Sequence, residues 1–246
     1  MIHSFLLIGQ SNMAGRGILS EAIPIDSSHI KILRNGRWQN MFRPINPDRP
    51  FSGVSLAESF AEAYAVKHDC DVGLICCADG GTSLEQWQPG SLLFENAVTQ
   101  AKLAQRTSTI VGILWHQGES DCYPHMNATY QERFEPILHG IREELNLPDI
   151  PFLVGGLGDY LAEYNDPALH NYPIINQALV KITEENHAVG FVSAEGLTSN
   201  DDRLHFNSKS LYEFGLRYLT VYEKMAGDIT LSGLNEKEVR GELESL

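Results

Sequence analysis

The chain has 246 residues, with 18 Lys and Arg against 32 Asp and Glu, giving a formal charge of −14 and a pI near 5.0. That surplus of carboxylates repels phosphate backbones and anionic headgroups, so neither nucleic acid nor a membrane surface is an expected partner. With 43% hydrophobic and 20% charged residues the composition excludes a disordered chain, and it suits one domain spanning residues 1–246.

The chain opens on a short apolar run, Ile2 to Ile8. No basic segment precedes it and no small-residue cleavage site follows. No stretch approaches the roughly 20 apolar residues that span a bilayer, so the expected compartment is the cytoplasm. The run ends in Gly9-Gln10-Ser11-Asn12-Met13-Ala14-Gly15-Arg16-Gly17. A serine at the carboxyl end of a strand stands at the face where open α/β sheets bind ligands, and a following helical turn would aim the serine's own N–H at an anion. A glycine-rich turn with a capping serine is the plainer alternative. The segment lacks the lysine of GxxxxGK[ST] and does not match GxGxxG, which argues against a nucleotide.

His29 to Leu33 and Trp38 to Phe42 flank Asn35-Gly36, a strong signal for a tight hairpin, expected to lie outside the main sheet. Pro44 to Pro50 reads as an excursion over the strand ends. Ala57, Phe60, Ala61 and Tyr64 recur at helical spacing. Val72 to Cys77 is the next buried strand, followed by Ala78-Asp79-Gly80-Gly81-Thr82-Ser83, whose backbone N–H groups suit either an oxyanion hole or an ordinary glycine turn.

Ser91 to Gln105 reads as a helix and Ile110 to Trp115 as a third strand. Directly after it come His116, Gln117, Glu119, Ser120 and Asp121, polar groups that are costly to bury without partners. Gln117 offers an amide donor, and Glu119 reads as a hydrogen-bonding support for the loop. Met126 to Leu145, bent or interrupted at Pro136, and Tyr172 to Asn186 are further helices, with Phe152 to Val154 and Phe191 to Val192 as strands. Asp159 to Tyr172 forms another excursion near the ligand face. Five strands separated by helices predict a mostly parallel sheet with helices on both faces, a three-layer α/β/α fold.

Cys70, Cys76, Cys77 and Cys122 make no CxxC pair and are expected as reduced thiols, with no structural metal. Near the end, Asp201-Asp202-Arg203-Leu204-His205-Phe206-Asn207 precedes a last helix marked by Leu211, Phe214, Gly215, Tyr218 and Tyr222. A serine nucleophile needs a base, and the base needs an orienting group. Asp202, three residues before His205, is placed to reach Nδ1 of the imidazole and leave Nε2 for Ser11. Asp201 is its rival. A metal-dependent reading through His116 and His125 finds no ligand motif. After Gly227 the chain turns acidic, and Val239, Leu243 and Leu246 suit only a short, weakly anchored helix with no assigned function.

The blocks GQSNMAGRG at 9–17, DGGTSLEQW at 79–87, WHQGESD at 115–121 and DRLHF at 202–206, taken in order, resemble the SGNH (GDSL-like) hydrolase superfamily. Within it they resemble the branch of carbohydrate esterase family 6 acetylxylan esterases and sialate O-acetylesterase-like proteins. The resemblance implies a flavodoxin-like fold with a five-stranded sheet. It also implies Ser11 as nucleophile, His205 as general base and Asp202 as its partner. The oxyanion hole would combine the Ser11 N–H, an N–H from Gly80 or Gly81, and the Gln117 side chain. Gln10 stands where GDSL enzymes usually carry aspartate, and Gln117 where they carry asparagine, both as expected in the carbohydrate-esterase branch. Glu85 and Trp87 also match, with Trp87 either walling an acetyl group or packing as a loop tryptophan.

The implied activity is removal of O-acetyl groups from an acetylated carbohydrate, of acetylxylan or sialate type, through an acetyl-enzyme and without cofactor or metal. A non-catalytic carbohydrate-binding protein on the same fold is the alternative. The acidic charge points to neutral sugars unless Arg16, Arg43 or Arg49 near the site reverses it. Oligomeric state and the identity of the sugar stay open.

Overall fold

The computed structural model describes residues 1–233. Its strands are β1 (Ile2–Gly9), β2 (Ile30–Arg34), β3 (Arg37–Asn40), β4 (Asp71–Cys76), β5 (Thr109–His116), β6 (Phe152–Gly155) and β7 (Val189–Val192). They form one seven-stranded sheet in the order β3-β2-β4-β1-β5-β6-β7. Every pairing is parallel except β2 with β3. Phe5, Leu6 and Ile8 of the central strand are fully buried, as an apolar run covered on both faces requires.

The sheet therefore has seven strands and not five, and the hairpin belongs to it. Ile30, Lys31 and Ile32 of β2 pair in parallel with Val72, Gly73 and Leu74 of β4. Only Ile30 and Ile32 turn inward, so β2 has the alternating pattern of a free-standing hairpin. Docking depends on β4 offering an edge and on Gly73, where a Cβ would come 2.6 Å from the Trp38 ring. The bare backbone there lets the indole close over the strand.

Helix α1 (Ser11–Ala14) is a single turn. Helices α2 (Leu56–His68) and α7 (Ser208–Gly233) cover one face of the sheet, where Phe60, Tyr64, Phe214, Tyr218 and Tyr222 pack with Phe5 and Leu7. On the other face α3 (Leu92–Ala104), α5 (Tyr130–Leu145) and α6 (Tyr172–Glu185) bury Phe94, Phe134 and Leu179 with Leu6 and Trp115. A capping box starts α2, with Ser55 and Glu58 satisfying each other's backbone donors. The helix expected over Met126 to Leu145 divides before Pro136, into the short α4 (Pro124–Asn127) and α5, which carries Pro136 inside it.

All four cysteines are free thiols, and burial pushes Cys77 up to about 12 and Cys76 and Cys122 further still, which makes them poor nucleophiles at neutral pH. Among the described residues no helix is long and apolar enough to cross a membrane. Val239, Leu243 and Leu246 lie outside the described residues. The carboxyl ends of β4, β1 and β5 stand side by side at the middle of the sheet, and the loops that leave them meet there.

Candidate active site

Gly9 closes β1 at φ +125, where a Cβ would sit 2.1 Å from the His116 carbonyl oxygen. Only glycine lets the chain turn so tightly against β5. Gln10 N–H donates to that carbonyl at 2.8 Å, and the Gln10 carbonyl accepts from Met13 and Ala14 to wind α1. Ser11 thus opens the helical turn. Its hydroxyl faces a cavity of about 810 Å³, and its N–H finds no acceptor among the described residues.

The loop between β7 and α7 delivers the other two groups. Asp202 Oδ1 accepts the N–H groups of Leu204 and His205 at 2.9 and 3.0 Å, and this local turn swings Oδ2 to 2.7 Å from His205 Nδ1. On the far side of the ring, Nε2 lies 3.0 Å from Ser11 Oγ. A carboxylate on Nδ1 fixes the tautomer with the proton there, which leaves Nε2 as the acceptor for the serine hydroxyl. Burial alone would raise the Asp202 carboxyl, but its hydrogen bonds from the His205 ring and from the two backbone N–H groups prevail and hold it at about 2. Asp201 lines a different surface hollow and does not share the ring.

Asn12 is a participant that motif reasoning passed over. Fully buried, it accepts the Phe206 N–H at 3.1 Å through Oδ1, while Nδ2 donates to Glu119 Oε1 at 2.6 Å and to the Leu204 carbonyl at 3.4 Å. One amide therefore grips the backbone on both sides of His205. Glu119, read from the sequence as a support for its loop, accepts this hydrogen bond from the residue next to Ser11.

The expected oxyanion donors sort differently. Gly80 N–H donates to Asp48 Oδ2 at 2.8 Å and so is not free. Gly81, at φ +77 on the cavity wall, has an N–H with no acceptor among the described residues. Gln117 is corrected more sharply: it is fully buried, off the cavity wall, and Nε2 donates to Asp121 Oδ2 at 2.6 Å and to the Thr82 carbonyl at 3.1 Å. Its Oε1 accepts from Tyr130 at 3.1 Å. Gln117 ties the loop after β5 to the loop after β4, with no amide hydrogen left to offer. Gln10, next to Ser11, brings a side-chain amide to the cavity wall: its Oε1 accepts the Ser120 N–H at 3.4 Å and its Nε2 finds no acceptor among the described residues.

Trp87 likewise lies in the core and not on the cavity wall. Its ring packs edge-on against Trp115 at 5.6 Å, and its Nε1 donates to Thr82 Oγ1 at 3.0 Å. His116 is buried with Nε2 donating to the Gly156 carbonyl, and burial lowers its pKa so that the ring stays neutral. His125 stands apart on the cavity wall. Among the described residues no three His, Cys, Asp or Glu side chains gather as a metal site requires.

The chain is 28% identical over 244 residues to the probable carbohydrate esterase At4g34215 of Arabidopsis thaliana, covering 89% of both chains. The crystal structure of that Arabidopsis protein superimposes with a TM-score of 0.80 at 26% identity, over 90% of this chain and 98% of the other. The carbohydrate acetylesterase XAC1771 of Xanthomonas citri shares the fold at a TM-score of 0.68 and 16% identity, over 92% of this chain and 57% of its own length. NanS also has a TM-score of 0.68, at 18% identity over 92% and 98% of the two chains. The model of the carbohydrate esterase family SASA, sialic acid-specific acetylesterase, matches residues 1–224, and the chain belongs to that SGNH-like family.

Proposed function

We propose that the protein hydrolyses O-acetyl esters of carbohydrates through an acetyl-Ser11 intermediate. The observation that carries this reading is the unbroken line from Asp202 through His205 to Ser11 Oγ at the floor of an open cavity. Ser11 Oγ attacks the ester carbonyl as His205 Nε2 takes its proton, and Asp202 stabilises the imidazolium that forms. The tetrahedral oxyanion is met by the N–H groups of Ser11 and Gly81 and by the Gln10 amide. His205 then returns the proton to the departing sugar oxygen, breaking the ester C–O bond. Water, deprotonated by His205, attacks the acetyl-serine, and acetate leaves as Oγ recovers its proton.

The test is acetate release from p-nitrophenyl acetate and from acetylated sugars by wild type and by Ser11→Ala. Release that disappears in the variant is the expected result. Sugar binding without release by the wild type would instead make this a carbohydrate-binding protein.

A further inference from the structure

The segment from Pro44 to Pro50 has no part in the acid-base line, yet three of its side chains turn to the loop after β4. Asn46 grips Ala78 twice: Nδ2 donates to the Ala78 carbonyl at 3.0 Å, and Oδ1 accepts the Ala78 N–H at 3.1 Å. Two residues along the loop the pattern repeats on Gly80. Asp48 Oδ2 accepts its N–H at 2.8 Å, and Arg49 Nη2 donates to its carbonyl at 2.9 Å. Asp79, between them, sends its N–H to the Gly9 carbonyl at 3.0 Å and takes the Thr82 hydroxyl on its own carbonyl at 2.7 Å.

Every backbone N–H and C=O of Ala78, Asp79 and Gly80 therefore has a partner, as buried peptide groups require. The first donor left over is the Gly81 N–H, which has no acceptor among the described residues. The groups that do the gripping are themselves fixed. The Asp48 side chain is 3% exposed and accepts from Arg16 Nη1 and Nη2 at 3.0 and 2.7 Å and from Ser52 Oγ at 2.7 Å. Arg49 is held at two more oxygens, the Asp48 carbonyl at 2.8 Å through Nη1 and Asp79 Oδ1 at 2.8 Å through Nη2.

The Gly80 carbonyl and the Gly81 N–H belong to one peptide group. Arg43–Pro44 is the only cis peptide among the described residues, so the Gly80–Gly81 bond is trans and its N–H points away from the oxygen that Arg49 holds. Fixing the oxygen fixes the direction of the donor. A cationic donor on that oxygen also draws electron density from the amide, which strengthens the N–H as a hydrogen-bond donor. The peptide lies beside the nucleophile: a Cβ on Gly80 would come 3.5 Å from the Ser11 Cβ and 2.4 Å from Arg16 Nη2.

Resting on the esterase reading above, we infer that Arg49 is a positioning residue for the reaction: through the Gly80 carbonyl it aims and polarises the Gly81 N–H that meets the oxyanion. Arg49 stands on the cavity wall, but its guanidinium is committed to the backbone and to Asp79 and not to a substrate.

The experiment measures kcat and KM for p-nitrophenyl acetate, and the Ki of phenylboronic acid, in wild type, Arg49→Ala and Arg49→Lys. The boron of that probe bonds to the serine oxygen and becomes tetrahedral and anionic, so it reports the oxyanion donors without turnover. Arg49→Ala should lower kcat by about tenfold with KM within about twofold, less than the 10²- to 10³-fold cost of losing a donor outright. Its Ki should rise by the same factor as kcat/KM falls, which a merely structural role would not produce. Arg49→Lys keeps a cationic donor but cannot span three oxygens, and it should lie between the two. If Arg49→Ala does not fold, the lysine variant carries the same comparison.

A folded variant with kcat within twofold of wild type, an unchanged Ki, or a loss confined to KM would overturn the inference and leave the esterase standing. The last of these would make Arg49 a substrate-binding cation. A wild type no more active than Ser11→Ala would take down both readings.

Discussion

Asn12→Ala separates a residue that positions the base from one that merely fills space. The substitution strands the Phe206 N–H and removes the hydrogen bond received by Glu119 Oε1, where Asn12 is fully buried and Glu119 nearly so. Glu119 Oε2 already lacks a partner, so the carboxylate would be left bare. Each stranded group costs about 1–3 kcal/mol, with the charged one at the upper end, for a total of about 4 kcal/mol. In a chain of this size that corresponds to a fall in Tm of roughly 8–16 °C.

Activity should fall by more than stability explains. Leu204 and Phe206 lose their common anchor, and a misplacement of His205 by about 1 Å costs on the order of 10²-fold in kcat. Thermal unfolding and p-nitrophenyl acetate kinetics below the variant's transition read the two effects separately. Asn12→Asp adds a pH signature: it keeps the acceptor for Phe206 but sets a carboxylate against Glu119 in place of a donor 2.6 Å away. The two oxygens then need a shared proton, so activity relative to wild type should rise as pH falls. A folded Asn12→Ala protein with kcat within twofold of wild type would refute the positioning role.

Asp202→Asn should lower kcat by about 10³- to 10⁴-fold at neutral pH, because the imidazole loses the partner that sets its tautomer. Gln10→Ala should cost on the order of 10²-fold in kcat, as loss of an oxyanion donor does. Gln117→Ala should instead show mainly as a lowered Tm, and the reverse pattern in thermal scans and kinetics would restore Gln117 as the donor. Asp202 is held at about 2 in the folded protein against 3.8 when unperturbed. Its contribution to stability is therefore full above about pH 4 and is lost as pH falls toward 2. Urea midpoints of wild type and Asp202→Asn should converge over that interval, and a gap that widened on acidification would contradict the sign. EDTA should leave esterase activity intact, whereas loss restored by zinc would revive the metal-dependent reading.

The local settings of Ser11 and of the Asp202–His205 pair could be read from the sequence because each depends on near neighbours. Ser11 follows a continuous apolar strand, and Asp202 reaches His205 within one turn. The oxyanion donors could not, because the choice depends on hydrogen bonds that cross the molecule. Asp48 claims the Gly80 N–H from 32 residues away, and Asp121, Thr82 and Tyr130 converge on Gln117. Asp121 is four residues from Gln117, but nothing near Gly80 or Gln117 in sequence announces Asp48 or Thr82. The hairpin was legible as a hairpin through Asn35-Gly36, but its place in the sheet was not. Alternation in β2 looks the same on a free ribbon as on an outer strand, and Gly73 yields to Trp38 only once β4 has an open edge. Trp87 was undecided for the same reason, since Trp115, its packing partner, lies on another strand.

His205 approaches Ser11 across 194 residues of chain. During synthesis the proposed nucleophile precedes its proposed base by 194 residues, and all seven strands are made before that base. At about 5–20 residues per second that interval lasts roughly 10–40 s, and throughout it the serine has no proton acceptor. On the proposed mechanism a chain truncated before residue 205 is chemically silent even if its central strands have formed. Under the proposed mechanism reactivity arrives only when α7 docks beside α2 and brings the loop before it over β1, so the docking of this late segment acts as the switch that arms Ser11.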